Sequence, residues 1–495
     1  MSVFWALLRE ATNSLIALPT SIILARLLSP GEFGIAAVAY VFLAFGARLT
    51  QFGLNASLIR IREVRPEHAS TVFVVSLALG GTAWGLLTAL APALAAFVRS
   101  EEAGHVIPIA GLSLLISAFG IVPNTLLARD LRYRELAVCE WVGTVTNSVV
   151  AVGLAWSGFS FWSVVYGLLA ANVAQALAKL YFARWRPSFR FSPVAWRELF
   201  SFGAGVYAKN LLEYATHNID SLIVGRLLGM SALGVYDKAY SLVSRLIARI
   251  NLSGPSTSFR IFALIHEDHE RFRRAYRKVV LAVTVLGYPI LTVLILIAPD
   301  LIHVLFGPRW MPTVLPFRIL CVAGMLRLLN TYASTASQAK GMIWSEVGRQ
   351  TFSTAFLAVC VAVLSRWGVG GAAAGVLIAT VVTTILIQRL TRRLTNLRWG
   401  DLIGPQVPAV VCSFGLVVAL GLTKLLLQTW GPPLPVISLI VLASVAAVCY
   451  LAFILFSGFD EVREIVVETL GDLSPVLTRR TRGVPAAKVL PVVVE

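Results

Sequence analysis

Long apolar runs alternate with short polar connections along most of the chain. Fourteen of these runs are long enough to cross a bilayer, for which a helix needs about 20 apolar residues. Their approximate bounds are 5–28, 33–54, 69–97, 106–127, 137–156, 161–183, 200–228, 233–262, 275–298, 311–338, 347–364, 370–390, 407–427 and 434–456. The pattern predicts an all-α polytopic membrane protein with 14 transmembrane helices. The first run contains Arg9 and no small-residue cleavage site, so we interpret it as a retained helix and not as a signal peptide.

A motif of sixteen residues occurs twice, at an offset of 200 positions. Residues 25–40 read ARLLSPGEFGIAAVAY, and residues 225–240 read GRLLGMSALGVYDKAY. The shared residues include Arg26 and Gly34 in the first copy and Arg226 and Gly234 in the second. An offset of this size predicts two related six-helix lobes, followed by an additional C-terminal helix pair. Chance similarity between apolar helix ends is the alternative explanation.

The repeat and the charged connections together divide the chain into five predicted parts. These are an N-terminal lobe at 1–183, a cytoplasmic basic linker at 184–199, a C-terminal lobe at 200–390, a helix pair at 391–456 and a cytoplasmic tail at 457–495. Interleaved basic and aromatic residues also predict an amphipathic helix over 260–278, on the inner leaflet.

The distribution of positive charge sets the predicted topology. The chain is 57% hydrophobic and 14% charged, with a net charge of +17. Under the positive-inside rule, 28 Lys and Arg residues fall on the predicted cytoplasmic side, with both termini. The opposite side holds only Arg99, Arg309, Arg366 and Lys424. This bias accounts for the basic composition without a nucleic-acid partner, and it predicts a multi-pass membrane protein with both termini in the cytoplasm.

Motifs for catalysis or metal binding are missing from the sequence. The five cysteines stand singly in or beside apolar runs, with no C-x-x-C pair. No Walker A, G-x-S-x-G or H-E-x-x-H motif occurs, and no connection is long enough for a soluble catalytic domain. We therefore expect no enzyme activity, no cofactor and no metal site.

Ionisable residues inside the predicted spans are the candidate binding groups. A charge at the bilayer centre costs ~2.5–3.5 kcal/mol or more unless it meets water or a partner. The predicted cations of a substrate-binding cavity between the lobes are Arg48, Lys209, Arg245, Arg249 and Arg327. Lys238 shares a helix face with Arg245 and Arg249. Internal salt bridges and Arg side chains that snorkel to the interface are the alternatives. For Arg26 and Arg226, near the outer helix ends, snorkelling or structural bonding is the favoured interpretation.

Three further residues on the seventh run could couple transport to an ion. Glu213, His217 and Asp220 share one helix face with Lys209. Carboxylates whose pKa is raised by burial, and histidines, exchange protons near neutral pH. Neutralisation of Lys209 and its neighbours by these groups is the alternative.

Several segments resemble one family of transporters. They are LARLLSPGEFG at 24–34, LLARDLRYR at 126–134, RWRPSFR at 184–190 with FG at 202–203, NIDSLIVGRLLG at 218–229 with LGVY at 233–236, and LFGPRW at 305–310. As a set they are similar to the polysaccharide transporter family. This family comprises the Wzx-type O-antigen and exopolysaccharide flippases of the multidrug/oligosaccharidyl-lipid/polysaccharide (MOP) exporter superfamily. The capsule and colanic-acid exporter subgroup is the most similar.

The resemblance implies a multi-pass protein of the bacterial inner membrane that works by alternating access and has a cationic lumen. The expected substrate is an undecaprenyl-pyrophosphate-linked oligosaccharide for exopolysaccharide, capsule or O-antigen biosynthesis, with a polysaccharide polymerase or co-polymerase as a further candidate partner. Three alternatives stay open. A lipid or drug exporter of the same superfamily would be expected to have a mainly acidic lumen. An oligosaccharide polymerase or glycosyltransferase would be expected to have a large outer loop or a carboxylate-rich inner loop. A passive scaffold would need no cavity cations.

Overall fold

The computed structural model describes residues 2–50, 58, 65–197, 218–251, 254–340, 343–395, 398–429 and 435–456. In the first half of the chain the helices are α1 (Ser2–Leu27), α2 (Pro30–Thr50), α3 (Pro66–Val98), α4 (Glu101–Arg129), α5 (Tyr133–Trp156) and α6 (Trp162–Ala183). In the second half they are α7 (Met230–Ile250), α8 (Gly254–Leu264), α9 (His269–Phe306), α10 (Val314–Ala339), α11 (Ile343–Leu364), α12 (Gly368–Thr395), α13 (Trp399–Ile403), α14 (Val407–Thr429) and α15 (Pro435–Phe456). Residues 218–228 are also helical, and these described ranges contain no strand.

The all-α polytopic fold predicted from the apolar runs is confirmed. Over their described residues, twelve of the fourteen predicted spans each coincide with a helix, the eighth is divided between two helices, and the described part of the seventh, 218–228, is helical. Ten helical stretches in the described ranges are long and apolar enough to cross a membrane, one of which joins most of α11 and α12. Large apolar side chains on α14 and α15 stay exposed, such as Phe414 at 70% and Val448 at 65%. Such surfaces suit a lipid environment, and the chain is a multi-pass membrane protein.

The eighth predicted span is shorter than expected. The apolar pattern predicted one helix over 233–262, but α7 ends at Ile250 and α8 begins at Gly254. Pro255 has no backbone N–H and cannot continue the hydrogen bonding of a preceding helix. A Cβ atom on Gly254 would overlap the Tyr332 hydroxyl, so glycine allows α8 to approach α10 closely.

The single amphipathic helix predicted over 260–278 is also interrupted. α8 ends at Leu264, and α9 begins at His269 after a turn. The Asp268 carboxylate accepts hydrogen bonds from the backbone N–H groups of Glu270 and Arg271, which caps the start of α9. The hydrogen bond from the Arg271 N–H holds the pKa of the Asp268 carboxyl below its usual value. A favourable cap therefore starts a new helix inside the predicted one.

Two helical lobes and a helix pair make up the fold. In the first lobe, α5 packs between α1 and α6, while α4 packs against α3, α6 and α2. In the second, α10 packs against α7, α8, α9 and α12. The α14–α15 pair docks on α9 through a cluster that includes Ile297, Leu416 and Leu442. Glycines bring neighbouring helices together, as at Gly375, whose added Cβ would lie 2.8 Å from the Cys360 carbonyl oxygen.

The sequence repeat forms the contact between the two lobes. Gly34 of α2 faces the Met230 backbone at the start of α7, and Gly234 of α7 faces the Pro30 backbone at the start of α2. A Cβ atom on either glycine would overlap the opposite carbonyl oxygen. The two copies of the motif therefore pack against each other reciprocally, at the end of the lobes where α1 leads into α2.

The repeated arginines extend this contact. Arg26 donates hydrogen bonds to the carbonyl oxygens of Val304 and Leu305, at 2.6 and 3.2 Å, in the last turn of α9. Arg226 donates to the carbonyl oxygens of Ala96 and Phe97, at 3.2 and 2.5 Å, in the last turns of α3. Each arginine thus satisfies helix-end carbonyls of the other lobe, where cations are favoured. We call Arg26, Gly34, Arg226 and Gly234 the clasp.

Replacing Gly34 with alanine is expected to loosen the clasp. The added methyl group has no space beside the Met230 carbonyl, and overpacking of this kind typically costs about 1–3 kcal/mol. We expect a lower thermal unfolding temperature in detergent. We also expect longer distances between spin labels at Trp156→Cys and Trp367→Cys, which lie on the two lobes at the clasped end, in a background without native cysteines.

Gly31→Ala is the matched control for this measurement. It lies one turn earlier on α2, and an added Cβ there would meet only the Ser29 hydroxyl oxygen, at 4.0 Å. Equal effects of the two alanine substitutions would contradict the assigned role of Gly34.

Candidate functional site

A cavity of about 410 Å³ lies between the two lobes. Its first-lobe wall is formed by α1, α2, α5 and α6, and its second-lobe wall by α7. The first-lobe wall carries uncharged polar residues, which are Asn13, Ser14, Thr20, Ser21, Tyr40, Thr144, Asn147 and Ser148. Its apolar residues are Ala17, Leu18, Leu24, Phe33, Ala151 and Val164. The opposite wall carries Arg245, Ala248 and Arg249. The cavity thus has hydroxyl and amide groups among apolar side chains on one wall and two guanidinium groups on the other.

Arg245 and Arg249 lie together on the second-lobe wall of the cavity. They lie four residues apart in the last turns of α7 and therefore share one face of the helix. Both are exposed, and neither forms a hydrogen bond or an ion pair with another residue in the described part of the chain. The opposite face of α7 buries Leu233, Tyr236 and Val243 in the second lobe. The cavity therefore has two guanidinium groups available to an anion.

Lys238 lies behind the cavity lining, where it contacts Ser21 and Phe33. Its ammonium nitrogen lies 4.2, 4.8 and 5.3 Å from the ring centroids of Phe33, Phe306 and Trp310. It also donates a hydrogen bond to the Ser21 hydroxyl, at 3.1 Å, and Lys238 is only 5% exposed. The aromatic faces and the hydroxyl stabilise this buried cation. Lys238 shares a helix face with the two arginines, as predicted, but it has its own partners.

The other predicted cations lie apart from this pair. Arg327 of α10 does not line the cavity, since its guanidinium carbon lies over the Tyr240 ring, 5.0 Å from the centroid. Arg48 is exposed in the last turn of α2, also outside the cavity lining. Lys209, Glu213 and His217 lie outside the described residues. The structure therefore joins Arg245 with Arg249 and separates them from Arg48 and Arg327.

Asp220, one of the three predicted coupling residues, is buried inside the second lobe. It is 1% exposed and accepts a hydrogen bond of 2.6 Å from the Tyr236 hydroxyl. It also accepts one of 2.9 Å from the backbone N–H of Ser221. Tyr236 in turn stacks on Tyr240, with ring centroids 6.0 Å apart. These contacts give Asp220 a part in holding the helix at 218–228 against α7.

An acidic residue that sequence reasoning missed lies near the cavity. Glu140 of α5 forms an ion pair with Arg9 of α1, at 3.2 Å, and accepts a hydrogen bond from the Asn13 amide, also at 3.2 Å. Its signal was present, because Glu140 falls inside the apolar run 137–156. The uncharged cavity wall was missed too, although Thr144, Asn147 and Ser148 follow a helical spacing. Where the chain is described, no group of three His, Cys, Asp or Glu side chains could hold a metal ion.

Solved structures of one superfamily share this two-lobed architecture. The chain superposes on the lipid II flippase MurJ, in an inward closed conformation, with a TM-score of 0.69 and 12% identity over 91% of this chain and 98% of that one. An inward-facing multidrug resistance MATE family transporter of the MOP superfamily gives a TM-score of 0.61, with 17% identity over 78% of this chain and 96% of that one. An outward-facing structure of this kind gives 0.50. The fold is thus that of MOP superfamily transporters.

Sequence comparison then gives the family. The chain belongs to the family described as "Polysaccharide biosynthesis protein", whose model matches residues 23–315. It is 26% identical to the lipopolysaccharide biosynthesis protein WzxC of Escherichia coli over 74% of this chain and 75% of that protein. It is also 26% identical to the succinoglycan biosynthesis transport protein ExoT of Rhizobium meliloti, over 98% and 97% of the two chains. The predicted family is confirmed, and the chain is a polysaccharide biosynthesis transporter and not an enzyme.

Replacing Tyr236 with phenylalanine is expected to destabilise the second lobe. The change removes the hydroxyl donor from the buried Asp220 carboxylate, a loss that we expect to cost about 1–2 kcal/mol. Thermal unfolding in detergent measures this effect. Tyr276→Phe is the matched control, because Tyr276 is equally buried but its hydroxyl lies 3.5 Å from the Gln388 side-chain oxygen. An equal or larger loss in Tyr276→Phe would contradict the role given to Tyr236.

Proposed function

We propose that this protein is a flippase for an undecaprenyl-pyrophosphate-linked oligosaccharide in the bacterial inner membrane. It would move this lipid from the cytoplasmic to the outer leaflet by alternating access, for exopolysaccharide, capsule or O-antigen biosynthesis. The observation that carries the proposal is the cavity between the lobes, with two unpaired guanidinium groups, Arg245 and Arg249, on its wall.

The chemistry of the cavity fits a pyrophosphate. Hydrocarbon strongly disfavours a charged group, so a pyrophosphate needs a polar path with compensating charge. Guanidinium groups bind phosphate oxygens through paired, charge-assisted hydrogen bonds. Arg245 and Arg249 lie near the end of α7 that is distant from the clasp, where a headgroup could reach them from the membrane surface. The polyprenyl chain would remain in the surrounding lipid.

The known relatives favour a lipid-linked glycan over a drug as the substrate. The relatives named above act in the biosynthesis of lipopolysaccharide and succinoglycan, and MurJ is described as a lipid II flippase. The residues that line the cavity include no Asp or Glu, so the lumen is not acidic where the structure describes it. A cationic drug would be repelled by Arg245 and Arg249. A polysaccharide polymerase or co-polymerase would receive the glycan at the outer face.

Alternating access requires that one end of the lobes closes while the other opens. The clasp closes one end, and the fold superposes better on the inward-facing MATE structure than on the outward-facing one. We assign the clasped end to the outer face, because the connections there carry few positive charges. Both termini then lie in the cytoplasm, and the two arginines lie toward the inner leaflet.

The double substitution Arg245→Gln/Arg249→Gln is expected to block glycan export. It removes both cations from the cavity wall, so lipid-linked glycan should accumulate on the inner face of the membrane and surface polysaccharide should fall at least tenfold. Lipid extraction with mass spectrometry, and quantification of surface glycan, measure the two effects. Arg260→Gln is the control, since Arg260 is exposed on α8 outside the cavity lining. Normal export by the double variant at normal protein level would contradict the proposal.

The proposed orientation can be tested by labelling single cysteines in intact cells. Trp156→Cys at the clasped end is expected to react with a membrane-impermeant maleimide from outside, because Trp156 is 79% exposed. Arg186→Cys, in the linker at the opposite end, is exposed too but should react only after the membrane is permeabilised. The reverse pattern would place the termini outside.

A further inference from the structure

The first-lobe wall of the cavity differs from the arginine wall in its chemistry. It offers hydroxyl and amide groups without a formal charge. Several of these groups satisfy one another, as where Thr20 donates to the Ser148 hydroxyl at 2.8 Å and Thr144 to the Asn13 amide oxygen at 3.0 Å. The side chains of Ser14 and Asn147 make no hydrogen bond with another residue in the described part of the chain. Two polar groups on this wall are therefore available to a ligand.

The packing around Asn147 shows why its amide can occupy this place. Asn147 of α5 lies against Gly167 of α6, and an added Cβ at 167 would come within 2.9 Å of the Asn147 amide oxygen. The glycine thus leaves space for the amide where two helices cross. A primary amide offers two donors and one acceptor oxygen, which complements the alternating donors and acceptors of neighbouring hydroxyl groups. A polar group of this kind in a membrane protein is unfavourable unless a partner or water satisfies it.

Asn147 lies closer to the clasped end of the lobes than Arg245 and Arg249 do. Arg245 lies 15 residues from the start of α7 at the clasped end, about 22 Å along the helix axis. Asn147 lies nine residues from the clasped end of α5, about 14 Å along its axis. Ser14 lies 13 residues from the end of α1, about 20 Å and so close to the level of Arg245. A molecule held by its phosphates at the arginines would extend its next groups past Ser14 toward Asn147.

We propose that Asn147, with Ser14, forms a glycan subsite that binds the sugar nearest the pyrophosphate. The inference rests on the proposed function and assigns a different part of the substrate to each lobe. The second lobe binds the charge through Arg245 and Arg249, and the first lobe binds sugar hydroxyls through uncharged groups. The first-lobe wall then selects among lipid-linked glycans that share the same pyrophosphate.

Binding measurements on the full-length protein in lipid nanodiscs test this subsite. One probe is undecaprenyl pyrophosphate, and the other is the undecaprenyl-pyrophosphate-linked glycan purified from cells in which this gene is deleted. Asn147→Leu removes the amide at nearly constant volume and is expected to weaken binding of the glycan-bearing probe about tenfold, the effect of losing one or two hydrogen bonds. Binding of undecaprenyl pyrophosphate should stay within about twofold of the unmodified protein.

Two further variants make the result specific. Ser14→Ala changes a single oxygen atom and is expected to weaken only the glycan-bearing probe, by a smaller factor. Asn172→Leu is the matched control, since Asn172 of α6 donates to the Leu168 carbonyl oxygen at 3.0 Å and does not line the cavity. It should leave the binding of both probes unchanged.

The outcomes separate the subsite from the flippase proposal. If Asn147→Leu and Ser14→Ala weaken both probes equally, or neither, the wall only hydrates the passage and the subsite is wrong. If undecaprenyl pyrophosphate binds to Arg245→Gln/Arg249→Gln as tightly as to the unmodified protein, the two arginines are not the pyrophosphate site and the proposed function is contradicted. That outcome does not depend on the result for Asn147→Leu. If no lipid-linked glycan accumulates in the deletion strain, both proposals fail.

Discussion

The reciprocal approach of two helix backbones, α2 and α7, is the contact on which the arrangement of the lobes depends. Gly34 and Gly234 let each helix lie directly against the first turn of the other, and no residue with a side chain fits at either position. Because little apolar driving force exists between helices in lipid, such close packing and cross-lobe hydrogen bonds must hold the lobes together. Arg26 and Arg226 supply those bonds at the same end. Away from this contact the lobes are free to diverge, and the cavity lies there.

The partners of each charged group distinguish structural residues from candidate binding residues. Lys238 has three aromatic faces and a hydroxyl, Asp220 has the Tyr236 hydroxyl, and Glu140 has Arg9. Each of these charges is matched within the protein, which makes the group costly to move and useful for holding helices. Arg245 and Arg249 differ, because neither forms an ion pair in the described structure and no carboxylate lines their cavity, although Asp237 lies within electrostatic range of Arg245. Their charge is compatible with the site when water or an anionic ligand completes it.

Sequence reasoning predicted the helices well and the site only in part. Span length and hydropathy are local properties, so twelve predicted runs coincide with helices over their described residues, and the motif at 25–40 and 225–240 indicated the two lobes. Helical spacing also placed Arg245 and Arg249 on one face. Helical spacing could not show which face of another helix lies opposite Arg245 and Arg249, and so the prediction placed Arg327 in the same cavity. Lys238 contacts Phe33 and Trp310, which lie far from it and from each other in the chain. No local sequence pattern could therefore reveal these partners.

The two copies of the repeat show how one architecture acquires two chemically different walls. At the offset of 200 residues, Lys238, Arg245 and Arg249 correspond to Val38, Phe45 and Leu49. The positive wall is thus a property of the second copy alone, while the clasp residues are kept in both. With the positive charge on one lobe and uncharged polar groups on the other, the first lobe is left free to bind the neutral part of an amphiphilic substrate.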